Sequence, residues 1–145
     1  MTDEQIERLA AGFSDTTLSK EEWTHAAHIV VALRTVRAHG AAAATTLMRE
    51  GIRRFNAAKG GLPTAYHETI TLAWIAVLER FLTAEDRGQP LSSLAASALE
   101  QMGDKLYLLR FYSREVLMSD EARSRFVPPD RCAFGEPVLH RAPSM

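Results

Sequence analysis

A single cysteine, Cys132, leaves no internal disulfide to form, which fits a reducing compartment. No apolar run approaches the ~18 residues of a membrane span, and the acidic start MTDEQIERLA lacks the apolar heart of a signal peptide. A soluble, cytoplasmic protein is the expectation. Nor is there an excess of basic charge: 17 Lys and Arg stand against 18 Asp and Glu, a net charge of -1. A nucleic-acid footprint would need a basic face. The chain has no glycine-rich phosphate loop, no G-x-S-x-G and no paired CxxC. Strand-like alternation is missing throughout. What is present is an apolar content of 46% in 145 residues, enough for one domain to bury a core of its own.

The pattern is helical. Thr2 and Gln5 have the spacing of a capping box, starting a short helix to about Ala11. Ser19 and Glu22 repeat that spacing and open a longer helix, expected to run to Gly40. With ~100° per residue, Ile29, Ala32, Leu33 and Val36 share a face with His25, and His28 lies on its flank. AAAATTLMREGIRRFNAAK is a third helix, with Arg49, Arg53 and Arg54 on a basic face. After the break GGLPTA, a fourth helix starts near Ala65 and places Ile70, Trp74, Leu78 and Phe81 beside His67. Leu91 to Met102 forms a fifth. Asp104, Tyr107, Leu108 and Phe111 fall on one face of a further helical stretch, and Ser119 caps a last short helix. From Val127 to Met145 the chain turns proline-rich. The expectation is a single-domain all-α bundle of five or six helices over 1–126, with neighbours antiparallel. An extended tail covers 127–145.

Three of the five histidines, His25, His28 and His67, face inward on two long helices. A buried imidazole needs a partner, and a shared metal supplies one to all three. Three histidine ligands with an open position would suit Zn, Ni or Fe in a catalytic site. Glu22, Glu68 and Asp104 are the candidates for a fourth ligand or an acid–base group. Two of them also have a plain structural job: Glu22 completes the Ser19 capping box, and Asp104 can cap its own helix. Glu22 and His25 form a Glu-x-x-His unit, but a di-iron bundle needs a second one, and the chain has none. The expected function is a metal-dependent helical protein acting on a small molecule, its reaction open. The alternative is a non-enzymatic binding or interaction module in which the histidines share a hydrogen-bond network. No nucleic acid or membrane partner is expected; homo-oligomerisation is left open.

EEWTHAAH, AYHETIT and GDK followed by RFYSRE resemble an uncharacterised family of short bacterial helical proteins with WTHxxH, YHET and GDK…YSRE elements. The resemblance covers roughly Leu18 to Phe126. It implies a helical fold and brings no activity. A looser similarity, in ligand logic alone, is to DinB/YfiT-like bundles, which gather three histidines around a divalent metal.

Overall fold

In the computed structural model, which describes residues 1–135, seven α-helices are joined by short connections and no strand occurs among the described residues. They are α1 (Asp3–Ser14), α2 (His25–His39), α3 (Ala41–Ala58), α4 (Glu68–Glu85), α5 (Leu91–Met102), α6 (Arg114–Leu117) and α7 (Asp120–Ser124), with 3-10 turns at Pro63–Ala65 and Tyr107–Arg110. None of the helices is long and apolar enough to cross a membrane.

Helix α2 is the axis of the bundle. Ile29, Val30, Val31, Leu33 and Val36 are all buried, so it is covered on almost every side. Each such side chain contributes roughly 1.5–3 kcal/mol of burial. The helix ends at Gly40, whose positive φ of 85° turns the chain directly into α3. Phe13 of α1 lies so close to α3 that a Cβ on Gly51 would meet its ring at 2.7 Å, which explains a glycine inside that helix.

Because α3 carries the chain back, α2 and α4 run parallel rather than antiparallel. At their carboxyl ends, Arg37 Nε and Nη2 donate to the Asp86 carboxylate, each at 3.0 Å. At their amino ends, the His25 ring stands edge-on to Trp74, with centroids 5.7 Å apart. The two strongest helices of the bundle therefore start at the same end of the molecule.

Helix α2 begins later than the sequence suggests. Ser19 and Glu22 do form their capping box, with Glu22 N–H to Ser19 Oγ at 3.1 Å and Ser19 N–H to Glu22 Oε1 at 2.9 Å. The turn it starts stops at Trp23. Thr24 then caps the helix afresh, accepting from Ala27 N–H at 3.1 Å. His25 thereby becomes the first residue of α2. The helix expected over Asp104 to Tyr112 is only a turn followed by the 3-10 segment.

The start of the proline-rich tail packs firmly. Val127 N–H donates to the buried Thr69 Oγ1 at 3.0 Å, and Tyr112 Oη donates to Val127 O at 2.6 Å. The Ser113 amide is held by Asp130, the Arg131 amide donates to Phe111 O, and Phe134 lies against Phe111 and Tyr112. The rest of the expected tail, residues 136–145 with His140, lies outside the described residues.

Candidate functional site

The three histidines do not meet at one centre. His67 stands just before α4 as its N-cap, and its Nδ1 accepts from Ile70 N–H at 3.1 Å. Since Nδ1 accepts, the proton sits on Nε2, which donates to Leu117 O at 2.7 Å. Both nitrogens are used, 8% of the residue is exposed, and burial pulls its pKa below the ordinary imidazole value. This imidazole ties α4 to α6. It takes no part in a shared site with His25 and His28, contrary to the sequence-based expectation.

The candidate carboxylates are occupied as well. Glu22 is committed to Ser19, whose backbone amide and hydroxyl hold its carboxyl below the usual range. Glu68 receives Arg49 Nε and Nη2 at 3.0 and 2.6 Å and Tyr66 Oη at 2.6 Å. Arg49 first, then Tyr66, lower the Glu68 pKa, while burial and the Glu68 bond push the Tyr66 phenol up to about 12. Asp104 Oδ1 accepts from Leu106 N–H at 2.9 Å and so caps its own turn. Among the described residues no group of three or more His, Cys, Asp or Glu side chains is disposed to hold a metal ion.

His25 and His28 stay together, and they share a cavity of about 500 Å³ between α2, α3 and α4. Its walls are apolar: Ile29 and Ala32 from α2, Met48 and Ile52 from α3, Ile70 and Ile75 from α4. That volume lies in the usual range for small-molecule sites, roughly 300–1,000 Å³. Trp23, the residue before the α2 cap, and Trp74 of α4 also line it. Thr24 and Lys105, both exposed, stand on its rim.

His28 Nδ1 lies 2.9 Å from Thr24 O. A carbonyl only accepts, so Nδ1 carries the proton and Nε2 of the neutral ring is left bare. Burial is the main cause of its lowered pKa, and the neighbouring His25 adds to it. Burial thus favours the neutral ring, in the opposite tautomer to His67. His25 is also pulled down, first by burial and then by the charge of Lys105, against the backbone carbonyl of Asp104, which favours the protonated ring. Asp104 thus acts on His25 through its backbone carbonyl first and through the charge of its carboxylate second, although it forms no part of the cavity wall.

Two buried side-chain nitrogens among the described residues have no hydrogen-bond partner: Trp23 Nε1 and His25 Nε2. Leaving such a group unpaired costs roughly 1–3 kcal/mol, so each needs an explanation. Both belong to residues lining this one cavity. Trp23 is otherwise tightly held, stacked on Phe13 at 4.4 Å and against the His28 ring at 4.0 Å.

Continued back to Trp23, the ~100° helical pattern puts this residue nearly opposite His25, and it puts Trp74 on the core face beside His67. The signal that links Trp23 to the histidines is the WTHxxH element itself, since residues on either side of a helix start do not follow helical angles. Lys105 carried no periodic signal. Comparison of the chain with protein-family models, with curated proteins and with solved structures finds no match.

Proposed function

We propose that this protein binds a small, largely apolar molecule in the cavity between α2, α3 and α4, with His25 and His28 as its polar contacts. The observation that carries this reading is an apolar cavity of about 500 Å³ with both histidines on its wall, beside which lie two buried nitrogens that the fold leaves unpartnered. A site of this kind fixes its ligand by apolar contact and orients it by a few polar groups. The bare Nε2 of His28 accepts a hydrogen bond from an O–H or N–H of the ligand, or its proton if the chemistry calls for a base. His67 stays outside this reading as a structural residue.

The test uses a fluorescent pair of the same ring skeleton, anionic 8-anilinonaphthalene-1-sulfonate and neutral N-phenyl-1-naphthylamine. Both brighten in apolar surroundings. At least one saturates with a stoichiometry near one, and Ala32→Phe, which fills the cavity from α2, abolishes that binding while helical circular dichroism is kept. Ile52→Phe does the same from the half-buried wall of α3 if the first variant does not fold. Absence of saturable binding by either probe, or binding that survives a folded cavity-filled variant, overturns the reading.

A further inference from the structure

The charges around the cavity say what kind of molecule it takes. Among the described residues no carboxylate side chain lines it. Trp23 Nε1 is a donor only, and Lys105 is a cation. Thr24 Oγ1 accepts from Ala27 N–H, which leaves its own proton to give. Thr71, also on the wall, has already given its proton to His67 O at 3.0 Å. Against these stand three acceptors, His28 Nε2, the Thr71 hydroxyl oxygen and one nitrogen of the neutral His25 ring. Donors and acceptors are therefore balanced on the wall, and what gives it a preference is charge: among the described residues its one formal charge, on Lys105, is positive.

The fold adds to this in a way that neither helix does alone. Helices α2 and α4 are parallel, so both present their amino ends, the positive poles of their dipoles, to the same part of the molecule. His25 opens α2, and Ile70 and Thr71 lie in the first turn of α4; all three line the cavity. The first turn of α2 holds no acidic residue. That of α4 holds Glu68, whose charge is met by Arg49 at 2.6 Å. Asp104 neighbours Lys105 in sequence but forms no part of the wall, and it caps its own turn. Among the described residues Lys105 has no carboxylate within ion-pair distance.

We infer that the ligand is a monoanionic organic acid, its apolar body among Ile29, Met48, Ile52 and Trp74 and its acid group at the rim against Lys105, Thr24 and the opening turn of α2. This rests on the cavity being a binding site, and it narrows the ligand to one chemical class. A neutral apolar molecule would leave the Lys105 charge without a counter-charge. A cation would meet Lys105 and two positive helix ends.

The same two probes on the full chain separate this inference from the reading beneath it, since they differ by one sulfonate. Lys105→Gln weakens the anionic probe by roughly fivefold, the upper end for a rim ion pair, and leaves the neutral probe unchanged. Raising salt from 50 to 500 mM weakens the anionic probe alone, because screening acts on charge and not on apolar contact. If Lys105→Gln and salt leave the anionic probe unmoved, or shift both probes equally, the anion preference is wrong while the cavity remains a binding site. If neither probe binds, the site reading itself fails and takes this one with it.

Discussion

Two of the buried imidazoles stand at the amino ends of parallel helices, yet they are opposites. His67, before α4, has a backbone donor on one nitrogen and a backbone acceptor on the other. His25, first in α2, has a buried nitrogen with no partner and a cavity beside it. Burial lowers the pKa of both, so burial and titration do not tell them apart. The distinction lies in how many of the ring's polar atoms the fold itself satisfies. A histidine whose atoms are all used holds the structure together. One with an atom left over has capacity for something else.

The largest expected effect tests the first half of that contrast. His67→Ala removes a cap and a buried hydrogen bond together, and is expected to destabilise by roughly 2–4 kcal/mol in urea unfolding. His67→Asn, which can still cap, recovers about 1 kcal/mol of this. Probe binding by the folded fraction stays intact; its loss at unchanged stability would reverse the two roles.

Acidification comes next. The pKa values of His25, His28 and His67 all lie below the ordinary 6.5 because burial disfavours the charged ring. The unfolded chain therefore binds more protons than the folded one below that pH. Stability is full above about pH 6.5 and is lost as the pH falls through the folded-state values. Urea midpoints at pH 7.5 and 5.0 measure this. The drop should shrink in His67→Asn, and an equal drop in the variant would assign the sensitivity elsewhere.

Thr24→Ala deletes the cap of α2 and is expected to cost about 1 kcal/mol, a few degrees in melting temperature. The carbonyl that fixes the His28 tautomer belongs to the backbone and survives the change. The smallest stability effect is expected from His25→Leu, which replaces an unpartnered buried nitrogen by carbon. Stability should stay within about 1 kcal/mol of the parent or rise, while affinity for the anionic probe falls. A loss as large as that of His67→Ala would show that His25 is structural too.

What could be read from the sequence was what is local. The Thr2–Gln5 capping box, the stop at Gly40 and the stop at Gly103 are formed by neighbours in the chain, and all appear as expected. The start of α2 was misplaced although its evidence was sound. The Ser19–Glu22 box exists, but Thr24 competes as a cap five residues later, and nothing in the pattern shows which one begins the long helix. The role of His67 was out of reach for another reason. Its decisive partner, the carbonyl of Leu117, lies 50 residues away, and a backbone acceptor leaves no mark on side-chain patterning. The convergence of His25 with His28 was legible, because i, i+3 spacing on one helix fixes it. The WTHxxH stretch and Lys105 of GDK line the cavity, whereas YHET supplies Tyr66 and Glu68, which meet Arg49, and the cap of α4.

The proline-rich stretch after α7 resembles an appendage that could be trimmed, but Val127, Asp130, Arg131 and Phe134 each close a gap in the bundle. Cutting at the paired prolines would strip Phe134 from Phe111 and from the fully enclosed Tyr112, and would leave the Ser113 amide and the Phe111 carbonyl without their partners. A truncation that keeps these contacts therefore ends beyond Phe134, and a carboxyl-terminal tag or fusion partner is best joined after that point.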